Sequence, residues 1–322
     1  MNGLRIGSAA LAAALVLHMA VAGAQAFPSR PVRIINPNPP GGAIDIQARL
    51  YAQKLQEMWA QPVLVEYKTG AGTMVGIDYT AKSAPDGYTI GMAVTTLVVL
   101  PALRREMPYD TIKDLAGVSL TAASSMMIAA SLALPARTLA EVIALAKQQP
   151  GKITYATPGP GGANHLAMEL LQQSAGIQLV HVPFKGGAQA YPELMAGRVD
   201  LQIDPVFGIY RYVKAGKMKG IAVTSAKRDR SAPEVPTVAD TLAGFEVLST
   251  NGIIVPRATP RELVRRLSAD FRRVLQMPDV AGRFAEMGLD IIASSPEEFD
   301  AYIRTEIAKW TGVAKSANIH LE

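Results

Sequence analysis

From Phe27 onward, short runs of β-branched residues alternate with longer stretches that carry apolar residues at helical spacing. The first pair illustrates the pattern. Val32–Ile35 is a continuous apolar run of strand length, whereas Gly41–Met58 repeats apolar residues every three or four positions. The same criteria predict further strands at 63–65, 88–93, 126–130, 153–156, 179–182, 199–203, 221–224 and 253–255. They predict further helices at 73–83, 139–148, 163–175, 187–195, 261–275 and 297–315.

This alternation determines the expected fold class. Strands that alternate with helices of about ten to fifteen residues are typical of α/β folds, in which mainly parallel sheets are flanked by helices. A chain of 322 residues is long for one doubly wound sheet, so we expect two lobes. Because no Pro- or Gly-rich linker separates two successive domains, we expect the chain to cross between the lobes more than once. The C-terminal helices would then return to the first lobe.

Residues 1–26 have the pattern of a secretory signal peptide. Arg5 supplies the positive charge, an apolar stretch runs from Ile6 to Val21, and Ala24-Gln25-Ala26 provides the small residues that a signal peptidase requires. The apolar stretch is shorter than a membrane span of about 20 residues. Cleavage after Ala26, or after Ala24, predicts an exported, periplasmic protein. A buried N-terminal helix or an uncleaved anchor is the alternative.

Four glycine-rich segments follow predicted strands, at the points where loops lead into helices. They are Asn36–Asp45, Thr69–Thr73, Thr157–His165 and Pro183–Gly187. Ligands of open α/β sheets bind beyond the carboxyl ends of the strands. There the first turn of a helix offers unpaired N–H donors and the positive end of the helix dipole. A single loop of this kind is an ordinary turn, but four at successive strand ends predict an anion-binding cleft.

Composition excludes several other functions. The chain has no cysteine, which rules out disulfides, thiolate metal sites and a lipid-modified N-terminal cysteine. Its net charge is +5, but basic and acidic residues are interspersed, without a run of five basic residues. Nucleic-acid binding normally needs a clustered basic face. We therefore expect no nucleic-acid partner, no bound metal and no cofactor.

Catalytic motifs are also absent, since the sequence has neither a G-x-S-x-G nor an H-E-x-x-H motif. The role of each of three polar residues near the loops has two interpretations. Asp45 is either a ligand contact or a favourable charge at a helix start. His165, in the first turn of a helix, is either a base or a capping residue. Asp204, at a strand end, accepts a hydrogen bond from a ligand or caps the next helix. An exported α/β enzyme that uses His165 and Asp204 is thus an alternative function.

The segment Gly70–Gly76 suggests another alternative. It follows a strand and opens a helix, like a dinucleotide-binding loop. That motif normally follows the first strand of a βαβ unit and has an acidic residue about 20 positions later. Here the segment follows the second predicted strand, and Asp86 lies in a Pro-Asp-Gly turn. A nucleotide-binding protein that uses this loop is a third hypothesis.

Many short motifs, spread over the whole chain after residue 26, resemble those of the Bug family of extracytoplasmic solute receptors, the binding component of tripartite tricarboxylate transporters. In the first part of the chain they are Phe27-Pro28-Ser29-Arg30-Pro31-Val32-Arg33, Pro39-Pro40-Gly41-Gly42 with Asp45, Gly70-Ala71-Gly72, Ala84-Pro85-Asp86-Gly87-Tyr88-Thr89 and Pro108-Tyr109-Asp110. Later motifs are Pro150-Gly151-Lys152, His181-Val182-Pro183-Phe184-Lys185-Gly186, Lys214-Ala215-Gly216-Lys217, Ala222-Val223-Thr224-Ser225, Val235-Pro236-Thr237-Val238 and Thr259-Pro260.

The resemblance implies a two-lobed periplasmic binding protein fold with the ligand cleft between the lobes. One lobe would hold residues 27–127 plus 247–322, and the other residues 128–246. It also implies a non-enzymatic, monomeric receptor that captures a small organic carboxylate by hinge closure and delivers it to membrane permease subunits. The ligand-binding residues that it implies in the first lobe are Asn38, Pro39, Pro40, Gly41, Gly42, Asp45, Gly70, Ala71, Gly72, Thr73 and Thr95. Those in the second lobe are Thr157, Gly161, Asn164, His165, Phe184 and Asp204.

The chain departs from the family pattern at four positions. Family members usually have an aromatic residue where Asn38 stands, a proline at Thr69, a tryptophan at Thr250 and a tyrosine at Phe184. If Asn38 and Thr69 line the pocket, it should be roomier and more polar at that end. We therefore expect a ligand with a second polar group besides its main carboxylate.

Overall fold

The computed structural model describes residues 27–184 and 186–319. The predicted signal peptide, residues 1–26, lies outside the described residues. The strands are β1 (Val32–Asn36), β2 (Val63–Tyr67), β3 (Thr89–Val94), β4 (Leu115–Ala130), β5 (Thr154–Thr157), β6 (Val180–Pro183), β7 (Leu201–Pro205), β8 (Lys219–Val223), β9 (Leu248–Pro256) and β10 (Asp290–Ile291).

The helices alternate with these strands. They are α1 (Ala43–Trp59), α2 (Met74–Ala81), α3 (Thr96–Leu103), α4 (Thr111–Asp114), α5 (Leu139–Gln148), α6 (Ala163–Ala175), α7 (Gly187–Met195), α8 (Val206–Lys214), α9 (Arg261–Leu275), α10 (Pro278–Glu286) and α11 (Pro296–Ser316). A 3-10 turn at Ala71–Thr73 precedes α2, and another lies at Val238–Asp240. Among the helices of the described ranges, none is long and apolar enough to cross a membrane.

The long strand β4 belongs to two sets of strands. Its part Leu115–Ser125 pairs with β9, and β10 lies on it near Ala122 and Ala123. Its part Met126–Ala130 pairs instead with β7 and β8. The first set, which we call the first lobe, has the order β2-β1-β3-β9-β4, and the second set continues as β4-β7-β5-β6. The strand pairing therefore changes between Ser125 and Met126.

Within each lobe most strands run in one direction. In the first lobe β1, β2, β3 and β4 are parallel to one another, and β9 and β10 oppose them. In the second lobe β5, β6, β7 and β8 share a direction and β4 opposes them. The predicted α/β class is confirmed, with the addition that both sheets are mixed. The carboxyl ends of β1 and β2 in one lobe, and of β5 and β6 in the other, carry the glycine loops.

Several elements were absent from the sequence prediction. The residues 115–125 are rich in Ala and Ser, and every residue of β4 is buried, so no alternation of polar and apolar residues marks them as a strand. The prediction of a strand at 126–130 alone was therefore too short. The helices α3, α4, α8 and α10 were also missed. In α3 all residues but three are buried, so it lacks a polar face to mark helical periodicity.

The C-terminal helices pack against elements of the first set of strands. Phe271 of α9 packs edge-on against Tyr51 of α1, with ring centroids 5.2 Å apart. Phe299 of α11 lies on β4 and β9 over Gly117, where a Cβ atom would stand 2.8 Å from its ring. These contacts place α9 and α11 on the sheet whose other strands carry the first pair of glycine loops.

Candidate functional site

The loop between β1 and α1 is closed by the side chain of Asp45. The N–H of Gly41 donates to Asp45 Oδ2 over 2.8 Å, the Tyr67 hydroxyl donates to Oδ1 over 2.6 Å, and Arg49 Nε lies 3.0 Å from Oδ1. Arg49 also donates to the Tyr67 hydroxyl. Asp45 is buried. Burial acts to raise the pKa of its carboxyl, but hydrogen bonds from Tyr67, Gly41 and Arg49 outweigh burial, so the pKa lies below its ordinary value.

The loop between β5 and α6 is built in the same way around His165. The N–H of Gly161 donates to His165 Nδ1 over 3.0 Å, so this nitrogen carries no proton. The other ring nitrogen, Nε2, faces Glu169 Oε1 at 3.6 Å. Glu169 also accepts the Tyr155 hydroxyl over 2.6 Å. Burial lowers the pKa of His165, which favours the neutral ring that the bond from Gly161 requires.

The two loops share a local sequence, Gly-Gly-Ala followed by one residue and a buttressing side chain. It reads Gly41–Asp45 in the first lobe and Gly161–His165 in the second. The first glycine has a left-handed backbone in both, with φ of 90° and 71°, and the second glycine is extended and precedes the helix. The residue four positions after each buttress, Arg49 or Glu169, contacts it. This correspondence was readable in the sequence but was missed.

The arrangement determines which backbone donors stay available. The N–H groups of Gly41 and Gly161 donate hydrogen bonds to side chains of their own loops, so in this conformation they are not available to a ligand. The N–H groups of Ala43 and Ala163 open α1 and α6, and no hydrogen bond among the described residues occupies them. The first N–H groups of a helix lack intrahelical partners. These amides and the positive helix ends can receive an anion.

The loop between β2 and α2 is strongly turned. Ala71, Gly72 and Thr73 have consecutive positive φ values of 46°, 65° and 86°. This conformation is unfavourable for a β-branched residue such as Thr73, whose hydroxyl lies 2.6 Å from that of Thr96. Gly76 lets this loop approach the loop after β1, since a Cβ atom there would stand 2.8 Å from Pro37. Two of the predicted loops of the first lobe are thereby neighbours.

The remaining predicted residues of the first lobe lie beside these loops. The N–H of Asn38 donates to Asn36 Oδ1 over 2.9 Å, and Pro39 and Pro40 are exposed. The hydroxyl of Thr95 accepts the N–H of Thr250 over 2.8 Å. Thr95 thus joins the end of β3 to β9.

In the second lobe, a stack of rings supports the loop after β5. The imidazoles of His165 and His181 are parallel within 16°, with centroids 4.0 Å apart, and Tyr155 stacks on His181 at 5.0 Å. His181 Nε2 lies 2.6 Å from Thr157 Oγ1, which in turn accepts the N–H of Gly159. Burial, with the neighbouring His165, lowers the pKa of His181 to about 4. Sequence analysis does not place His181 among the ligand-binding residues, because one histidine on a strand gives no sign of its neighbours.

Asn164, Phe184 and Asp204 lie at adjacent strand ends of the second lobe. Asn164 Nδ2 donates to the carbonyl of Ile203 over 2.8 Å, and the N–H of Phe184 donates to that of Thr157 over 3.0 Å. Asp204 is buried and accepts the Tyr191 hydroxyl over 2.6 Å. Burial raises the pKa of Asp204 to about 6, despite the bond from Tyr191.

The structure brings the predicted residues together in two groups, one in each lobe. Across residues 27–184 and 186–319, no hydrogen bond links the loops of one lobe to those of the other. Nor does a hydrogen bond connect His165 with Asp204 within the described chain. Each of these two side chains has its own buttressing partner, which is not the arrangement of a nucleophile activated by a base.

These features are those of a two-lobed solute-binding protein. The family described as "Tripartite tricarboxylate transporter family receptor" matches residues 47–319. The chain therefore belongs to this family of receptors, and it is a binding protein rather than an enzyme. The expected resemblance to Bug proteins is confirmed. The chain is 31% identical over 302 residues to "Protein BugT" of Bordetella pertussis, covering 93% of each chain.

Other relatives extend this result. A protein encoded in the tcbD-tcbE intergenic region of Pseudomonas sp. strain P51 is 36% identical over 287 residues, covering 88% of this chain and 85% of the relative. Among solved structures, Rpa4515 of R. palustris with adipate has a TM-score of 0.77 and 30% identity, covering 91% and 99% of the two chains. MatC of Rhodopseudomonas palustris with bound malate has a TM-score of 0.73 and 28% identity, covering 89% and 99%.

Proposed function

We propose that this protein is a periplasmic receptor for a small organic carboxylate, which it holds between its two lobes. The observation that carries the proposal is the pair of matched glycine loops, one in each lobe, whose helix N-termini present free amides. A carboxylate needs such donors, and helix ends supply them without a buried lysine or arginine. The adipate and malate bound to the two R. palustris relatives are ligands of this kind.

In the proposed mechanism, the lobes close on the ligand by bending where β4 passes from one lobe to the other. The chain passes between the two sets of strands a second time after β8, where the N–H of Thr224 donates to the Met126 carbonyl over 2.8 Å. A ligand that contacts both lobes only in the closed form shifts the population toward that form. The closed receptor would then deliver its ligand to the permease subunits as a monomer. The lobe boundaries proposed for this motion are 27–127 plus 247–322 and 128–246.

Thermal unfolding of the mature protein, stripped of co-purified ligand, tests the ligand class. The panel contains malate, adipate, citrate, acidic amino acids, aromatic acids, NAD and ATP. A carboxylate at 100 times its Kd should raise the free energy of unfolding by about 2.7 kcal/mol. Stabilisation by one class of carboxylates supports the proposal. Stabilisation by nucleotides alone would favour a nucleotide-binding protein that uses the loop Gly70–Gly76. If no carboxylate stabilises the protein, the proposal is contradicted.

Proline substitutions at the first helical position test the role of the free amides. Ala43→Pro and Ala163→Pro each remove one N–H donor at a position that favours proline, and the extended glycine before each is compatible with it. We expect each variant to weaken binding of the stabilising carboxylate about tenfold, in line with one hydrogen bond to a charged group. Arg261→Pro, at the first position of α9, is the matched control and should leave affinity unchanged. Equal affinity in all three variants would exclude these amides from the site.

A further inference from the structure

The two matched loops differ in the chemistry of their buttress. In the first lobe Gly41 donates to a carboxylate, whose pKa is lowered by its donors, so the bond persists over the whole neutral and mildly acidic range. In the second lobe Gly161 donates to an imidazole nitrogen. That nitrogen accepts a hydrogen bond only while the ring is neutral, since both nitrogens of a protonated imidazole are donors. The two loops therefore have the same backbone shape, but protonation at mildly acidic pH affects only the side chain that holds the second loop.

The surroundings of His165 hold it in the neutral form. His181 stacks on it from β6, Tyr155 lies beyond His181 on β5, and Glu169 faces Nε2 from α6 itself. Glu169 is the one carboxylate in this set, and it already accepts hydrogen bonds from Tyr155 and Gln172. A proton on either imidazole would place a positive charge against the other ring. The stack thus keeps His165 an acceptor at neutral pH and makes its protonation disruptive.

We propose that His165 and His181 are positioning residues for the second glycine loop, and that protonation of this pair releases the loop from its ligand-receiving shape. This inference rests on the proposed function for its biological meaning, but the loop itself responds without any ligand. Protonated His165 points an N–H at the N–H of Gly161, so their bond is lost. His181 Nε2 bonds the Thr157 hydroxyl, which accepts the N–H of Gly159; a protonated ring keeps its N–H at Nε2, so this bond persists and His181 holds the stack in place while His165 loses its bond.

The pH range follows from the direction of the shifts. The pKa values of both histidines are lower in the folded protein than the ordinary value of 6.5. The neutral form is therefore the stabilised one. The stabilisation is fully present above pH 6.5 and is lost as the pH falls from 6.5 toward about 4, the pKa of His181.

Amide hydrogen exchange measured on the mature protein without ligand tests the proposal. The segment 157–163 is compared with the segment 41–45 at pH 7.5 and pH 5, and the ratio of their protection cancels the intrinsic effect of pH. We expect the protection of 157–163, relative to 41–45, to fall about tenfold at pH 5, the effect of losing one hydrogen bond. An unchanged ratio would overturn the proposal.

Two variants separate positioning from a general loss of structure. His165→Asn places an amide oxygen where Nδ1 stands but does not titrate, so the ratio should be the same at both pH values. His181→Gln removes the ring that shields His165, so release should begin at higher pH. If His165→Asn responds to pH as the unchanged protein does, the imidazole is not the sensor. A failed ligand panel with a normal exchange result would reject the proposed function and leave this inference standing.

Discussion

Replacement of Asp45 by alanine should lower the free energy of unfolding by about 3 kcal/mol, because it removes a buried carboxylate that accepts hydrogen bonds from several donors. Gly41, Tyr67 and Arg49 all donate to this carboxylate. Without it, the Tyr67 hydroxyl and the Gly41 amide lose their partner, and the turn before α1 loses the bond that fixes it. Urea unfolding at pH 7.5 measures the effect. Affinity for the carboxylate found by the panel should fall at least tenfold, by about the cost of one such bond.

A surface carboxylate provides the matched control. Asp279 pairs with Lys54 over 2.6 Å, but its side chain is 59% exposed. Asp279→Ala should therefore have little effect on stability and leave ligand affinity unchanged. Asp45→Asn keeps one acceptor oxygen and should fall between the two. If Asp45→Ala costs no more than Asp279→Ala, the network around Asp45 does not hold the loop.

Replacement of Gly187 by alanine should cost about 2 kcal/mol, the usual penalty for forcing extra volume into a packed place. A Cβ atom at Gly187 would lie 2.7 Å from Asp204 Cγ and closer still to Oδ2. Asp204 cannot simply turn away, because the Tyr191 hydroxyl holds its Oδ2. The start of α7 or the carboxylate must move, so ligand binding should weaken as well. Chemical unfolding and calorimetry measure the two effects.

The cause can be isolated by a double-mutant cycle. In an Asp204→Ala background the clash disappears, so Gly187→Ala should cost less than about 0.5 kcal/mol, a clear departure from additivity. Asp204→Ala itself should cost about 1 to 3 kcal/mol, because it leaves the buried Tyr191 hydroxyl without its acceptor. Gly282→Ala is the control in α10, where nothing lies within 4 Å of an added Cβ. It should stabilise the protein slightly. An equal cost of Gly187→Ala in both backgrounds would contradict this explanation.

Local signals in the sequence were sufficient for many elements. The helices α5, α6, α7 and α9 have the predicted bounds. For α5 the reason is visible in its N-terminus, where Thr138 and Glu141 form a capping box. The first part of β4 was missed because neither face of this strand meets water. A strand that is buried on both faces has no solvent-facing side that requires polar residues. Its sequence therefore shows no alternation of polar and apolar positions.

At the site, too, some features of the glycine loops could be predicted from the sequence and others could not. Their existence, their place after strands and their suitability for an anion could be predicted from residues 36–45 and 157–165, because glycine and helix starts act locally. The roles of Asp45 and His165 could not, and both interpretations of each had stayed open. The structure adds a role that neither interpretation contained, since each of the two side chains accepts a glycine N–H of its own loop.

The sequence by itself determined the α/β class, the loops and the family, because these depend on short-range patterns and on many motifs in order. Only the tertiary structure decided how the loops are supported. Tyr67 reaches Asp45 from 22 residues away, and His181 stacks on a ring 16 positions earlier in the chain. Each of these contacts joins a helix to a strand that the fold packs beside it, and no local spacing encodes them. The sequence shows that Asp45 carries a carboxylate and His165 an imidazole. Only the fold places a glycine N–H against each of them and so makes them the acceptors that hold the loops.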